Sequence, residues 1–225
     1  MIRIKVCGVT EAKNALECAR AGADLIGLNF YPGSARYVTL ERARDIVDTL
    51  RGEPDTASRP LVGVFVNERP ERILEMISDL GLDAAQLNGD EPPEWVVLLR
   101  GHAYRALRPR GPGELEDFIA EGPYLLERSD LPGALLDAHH GSLYGGTGTT
   151  VDLTMARSAV EGIPRLMLAG GLRPGNVADR VRSVRPWGVD VASGVEGDRP
   201  GVKNMALVRA FVRAVRRGNG SDDVG

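Results

Sequence analysis

The chain is short of cysteine, of net charge and of long apolar runs, and each shortage excludes something. Its two cysteines, Cys7 and Cys18, make no disulfide framework and offer no Cys/His spacing for zinc. Reduced thiols of this kind point to a cytoplasmic protein. A net charge of -3 gives no electrostatic case for nucleic acid or for an anionic membrane as partner. No apolar run is long enough to span a bilayer, and the first one is too short and too polar for a signal peptide.

What is present is an ordinary globular mixture: 225 residues, 43% hydrophobic and 26% charged, enough to bury one large core. Strand-like and helix-like patterns alternate from end to end. Short apolar runs lie at Ile2–Cys7, Asp24–Phe30, Leu61–Val66, Ala84–Leu87, His102–Leu107, Ala134–Leu136, Leu166–Ala169 and Val189–Ala192. Between them apolar residues recur at helical spacing, as in Ile73, Met76, Ile77 and Leu80. Cys18 falls on the buried face of the first such helix, and Pro174 suits a first helical turn.

The runs are continuous rather than alternating, as expected of strands covered on both faces. Eight strand-helix units with no domain break predict α/β architecture as a single (β/α)₈ barrel over residues 1–217, with 218–225 a flexible polar tail. An open doubly wound sheet is the alternative. It would usually carry a glycine fingerprint after the first strand, and Cys7-Gly8-Val9-Thr10 is not one.

A parallel barrel keeps its chemistry at the carboxyl ends of its strands. Cys7 ends the first strand, and Asp137 ends the sixth, where an apolar core would not accept an unpaired carboxylate. A thiol and a carboxyl on opposite sides of one mouth suit a reaction that needs a base and an acid. The thiol would have to act as thiolate, favoured by the positive potential that also holds a phosphate. Gly170-Gly171 and Ser193-Gly194 follow the seventh and eighth strands, where barrels commonly bind phosphate. Gly145-Gly146-Thr147-Gly148 is a third glycine loop, suited to closing over a phosphate or to serving as a mobile lid. Arg36 has the fork to hold a carboxylate, and Asp190 and Asn88 sit near strand ends. His139 and His140 fit a surface loop better than a proton relay.

Taken together, Lys5-Val6-Cys7-Gly8-Val9-Thr10, Ser34-Ala35-Arg36-Tyr37, Gln86-Leu87-Asn88-Gly89-Asp90-Glu91, Leu135-Leu136-Asp137, Tyr144-Gly145-Gly146-Thr147-Gly148, Leu168-Ala169-Gly170-Gly171 and the run Gly188 to Glu196 with Lys203 resemble the phosphoribosylanthranilate isomerase family of tryptophan biosynthesis. The resemblance runs from Ile4 to about Val215. It implies a TIM barrel that performs an Amadori rearrangement on a small phosphoribosyl substrate without cofactor or metal. Cys7 matches the family's base, Asp137 its acid, Arg36 the arginine that holds the anthranilate carboxylate, Gly171 and Gly194 the phosphate cradle, and Asp190 a substrate-contacting carboxylate.

The chain departs from the family pattern at Asn88, Ala35, Arg105, Thr149, Val151, Leu153, Asn29 and Ala192, changes expected to gather at the mouth where an aryl group would lie. Two alternatives stay open. One is the same chemistry on another N-substituted phosphoribosylamine. The other is a non-catalytic phosphosugar-binding barrel. Monomer and homodimer are both compatible with the sequence.

Overall fold

The structure is a computed structural model that describes residues 1–99, 101–122, 128–137 and 152–220. Eight parallel strands close into a barrel: β1 (Arg3–Cys7), β2 (Leu25–Asn29), β3 (Leu61–Phe65), β4 (Ala84–Leu87), β5 (Ala103–Leu107), β6 (Ala134–Leu136), β7 (Leu166–Leu168) and β8 (Gly188–Val191). β1 pairs with β2 on one side and with β8 on the other, which rules out the open sheet.

The helices that follow the strands are α1 (Ala12–Arg20), α2 (Leu40–Gly52), α3 (Pro70–Leu80), α4 (Glu94–Leu98), α5 (Pro112–Glu121), α6 (Leu153–Gly162), α7 (Val177–Val184) and α8 (Met205–Gly218). Their starts are built by local chemistry. The side chains of Thr39, Asp152 and Asn204 accept from the first free amides of α2, α6 and α8. Pro70 opens α3, and Gly81 ends it in the left-handed region at φ 66°. Pro174 does not open α7. It lies in the turn before, and the helix begins at Val177 after Asn176. Gly218, the last residue of α8, is buried, and a Cβ there would stand 2.7 Å from the Ala178 carbonyl oxygen.

Strand pleating divides the core in two. Ile4, Val6, Ile26, Leu28, Leu61 and Phe65 face outward and pack against the helix faces. Leu25, Val62, Ala84, Tyr104, Leu135 and Met167 fill the barrel interior. Polar residues break that inner lining along β1, β4 and β8, and they lead to the mouth. No helix among the described residues is long and apolar enough to cross a membrane.

Candidate active site

Because side chains alternate along β1, Lys5 and Cys7 share the inner face. Gly27 of β2 makes room for both: a Cβ there would lie 2.8 Å from the Cys7 sulfur and 3.2 Å from Lys5 Cε. Lys5 is completely buried, and its ammonium donates to Asp190 Oδ1 at 3.1 Å and to Gln86 Oε1 at 2.9 Å. Tyr104 donates to the same Gln86 oxygen at 3.0 Å, and Gln86 Nε2 donates to Asn88 Oδ1 at 3.0 Å. A single polar chain therefore crosses the barrel from Asp190 through Lys5 and Gln86 to Asn88.

The charges in this chain set the state of the thiol. Burial lowers the Lys5 pKa, but Asp190, Cys7 and Tyr104 outweigh it, so the ammonium stays charged. Burial pushes the Cys7 thiol up. Lys5 and Lys203 pull it down, Asp190 pushes it up again, and the balance stays above the ordinary value. The cations beside Cys7 are lysines, and they do not overcome its desolvation.

Arg36 lies in the loop after β2 with its side chain across Gly8. Its Nε and Nη2 donate to the two carboxylate oxygens of Glu196, both at 2.7 Å. Glu196 Oε1 also accepts from the buried Lys203 ammonium at 2.8 Å and from the Gly201 amide at 2.9 Å. Burial would raise the Glu196 pKa, but Arg36 and Lys203 bring it down to about 2.

Asp137 is half-buried at the end of β6, and its amide donates to the Leu107 carbonyl at 2.9 Å. Gly170 and Gly171 follow β7 with φ of 85° and 59°, a left-handed pair that favours glycine. Asn176 ties this turn by donating to the Gly171 carbonyl at 2.9 Å. After β8, Ser193–Val195 forms a single 3-10 turn. A Cβ on Gly194 would collide with the Leu172 carbonyl oxygen, so the two turns lie against each other. The closed strand order puts Asp137, the Gly170-Gly171 turn, the Ser193-Gly194 turn and Cys7 in sequence around one arc of the rim.

The residues picked from the sequence thus converge on one mouth, with three adjustments. Asn88 is buried with its side chain in the interior chain, and its carbonyl accepts from Arg108 at 2.8 Å. Asp190 is an ion-paired carboxylate. Gly146, His139, His140, Thr149 and Val151 lie outside the described residues. Lys5, Gln86, Glu196 and Lys203 were given no role from sequence. Lys5 had a signal, since a charged residue inside an apolar strand calls for a partner as Asp137 does.

The departures from the family pattern do not all gather at the mouth. Arg105 faces outward, stacks 5.6 Å over the Phe118 ring and pairs with Glu121 at 3.1 Å. One step of strand register decides this, and sequence alone misjudged its face. Asn29 accepts from the Tyr31 amide at 2.9 Å, a local turn contact. Leu153 is the exposed first residue of α6.

The sequence profile of the N-(5'-phosphoribosyl)anthranilate isomerase family matches residues 4–214. The N-(5'-phosphoribosyl)anthranilate isomerase of Myxococcus xanthus is 45% identical over 216 residues, 96% of each chain. The crystal structure of phosphoribosylanthranilate isomerase from Thermotoga maritima superposes with a TM-score of 0.82 at 34% identity, covering 96% of this chain and 100% of that one. A phosphoribosylanthranilate isomerase solved with reduced 1-(o-carboxyphenylamino)-1-deoxyribulose 5-phosphate superposes with a TM-score of 0.79 at 33% identity, over 96% of this chain and 100% of that one.

Proposed function

The chain belongs to the N-(5'-phosphoribosyl)anthranilate isomerase family, and from that premise we propose how its own residues carry the reaction. It converts N-(5'-phosphoribosyl)anthranilate to 1-(2-carboxyphenylamino)-1-deoxyribulose 5-phosphate, an Amadori rearrangement in which C1 is reduced and C2 oxidised within one molecule. The single observation that carries the residue assignment is the order around the rim: carboxyl, two glycine turns, thiol.

The phosphate sits on the backbone amides of the Gly170-Gly171 and Ser193-Gly194 turns. This lays the ribose between Asp137 and Cys7. The aryl group extends past Cys7 toward the loop of Arg36, whose guanidinium takes the carboxylate.

Asp137, protonated, gives its proton to the furanose ring oxygen. The C1–O bond breaks, and the nitrogen lone pair closes a C=N iminium. The new cation acidifies the C2 proton, and its charge favours the Cys7 thiolate at the moment a base is needed. Cys7 removes the C2 proton, and the electron pair of that bond forms C1=C2 while the iminium returns to an amine. The enolamine tautomerises to the ketone. Lys5, held by Asp190 and Gln86, stabilises the thiolate from behind. Every group used comes from one barrel, so a monomer suffices. Two free thiols support a cytoplasmic setting.

The test is turnover of phosphoribosylanthranilate, followed by loss of its fluorescence, by the wild type and by Cys7→Ser. The serine variant is expected to lose about 10²- to 10⁴-fold in kcat. A folded wild type without turnover would refute the reading.

A further inference from the structure

Arg36 is gripped from one side only. A guanidinium has a side edge, Nε with one N–H of Nη2, and an end edge, Nη1 with the other N–H of Nη2. Glu196 occupies the side edge at 2.7 Å on both atoms. Among the described residues no hydrogen bond is made to the end edge. Arg36 is thus built to bind a second carboxylate without releasing the first.

The grip itself is rigid. Glu196 Oε1 receives the Lys203 ammonium and the Gly201 amide as well as Arg36. Lys203 is fully buried, donates also to the Ala192 carbonyl at 3.2 Å, and has its own amide bonded to Asn14 Oδ1 at 2.7 Å. On the far side the Arg36 methylenes lie against Gly8, where a Cβ would stand 2.5 Å from Arg36 Cδ. The charges also favour a second anion. Arg36 and Lys203 carry two positive charges against the one negative charge of Glu196, so a carboxylate meets a net cation.

We propose that Glu196 is the positioning residue for the substrate's carboxylate, holding Arg36 by its side edge, with Lys203 behind it, so that the end edge faces the aryl group. This rests on the reading of Arg36 given above. Glu196 touches no reacting atom; it sets which N-substituent the mouth prefers.

The experiment compares two substrates in steady state, N-(5-phosphoribosyl)anthranilate and N-(5-phosphoribosyl)aniline, which lacks the carboxylate. Substrate and ketose are separated by chromatography. The wild type is expected to prefer the anthranilate. In Glu196→Gln, kcat/KM for the anthranilate is expected to fall roughly 10- to 100-fold, mostly through KM, the span of one charge-assisted hydrogen bond. The fall on the aniline should be at least about ten times smaller. Glu196→Asp, which keeps the charge and shortens the reach, should show a partial loss with the same selectivity.

Equal losses on both substrates, in a variant whose thermal unfolding stays cooperative, would reduce Glu196 to a structural brace and overturn the proposal. Should Glu196→Gln fail to fold, the selectivity of Glu196→Asp decides the matter alone. A wild type without preference, or an Arg36→Met variant that keeps it, would overturn the placement of the carboxylate on Arg36, and the role of Glu196 with it.

Discussion

Lys5 and Asp190 face each other in register across the seam where β1 meets β8, joined by a buried ion pair at 3.1 Å. The pair closes the barrel with charge where most of the interior uses apolar side chains. A buried pair contributes little net stability, but breaking it leaves an uncompensated charge. Asp190→Asn or Lys5→Met is therefore expected to cost about 3–5 kcal/mol each. The double variant Lys5→Met/Asp190→Asn should cost clearly less than the sum. Denaturant unfolding of the four proteins measures this, and additive losses would refute the coupling.

The state of Cys7 makes a prediction about pH. The reaction needs a thiolate and a protonated carboxyl together, yet a carboxyl ordinarily titrates far below a thiol. The active form is then a minor species whose fraction stays constant between the two pKa values. Burial holds the Cys7 pKa above the ordinary value. Activity as kcat/KM should therefore be level through neutral pH and fall only once the thiol titrates, above about pH 9. Lys203→Met removes a charge that lowers this pKa. It should move the fall to higher pH and lower the level stretch. A rate that climbs through pH 8 to 10 would mean that Asp137 is not the acid.

How much of this was legible beforehand follows from register. Cys7 and Asp137 stood out because each ends an apolar run on a reactive group. The glycine turns after β7 and β8 stood out because a barrel needs them there. Lys5 obeys the same logic as Asp137 and went unassigned, because its partners Gln86 and Asp190 come from strands distant in sequence. Arg105 was placed at the mouth and faces the outside, since neither face of β5 is marked by the pattern Ala103 to Leu107 alone. Glu196 and Lys203 lie in loops, where no periodicity assigns a partner, and only the fold brings them to Arg36.

Glu196 also makes the fold sensitive to acid. Its carboxyl titrates at about 2 in the folded chain, against 4.5 as its ordinary value, because Arg36 and Lys203 outweigh its desolvation. Its contribution to stability is therefore complete above about pH 4.5 and is lost as the pH falls toward about 2. The wild type should melt above Glu196→Gln at pH 6, and the gap should shrink steadily between pH 4.5 and pH 2. A gap that does not change with pH would show that the charge of Glu196 is not what stabilises the loop.

Gly27 offers the sharpest separation of catalysis from binding. It touches the base and, through its carbonyl, accepts from the amides of Gly8 at 2.8 Å and Val9 at 3.2 Å. In Gly27→Ala the new methyl would lie 2.8 Å from the Cys7 sulfur, closer than real contacts allow, and a tight 3.1 Å from its Cα. The thiol must move, while the phosphate turns on β7 and β8 and the Arg36 loop are untouched. A displacement of the order of 1 Å between reacting groups costs roughly 10²-fold in rate. The expected result is a kcat lower by about that factor with KM changed less than about threefold, alongside a stability loss of about 1–3 kcal/mol from overpacking. If kcat survives intact in the folded variant, the sulfur over Gly27 is not the base, and the proton at C2 must leave by another route.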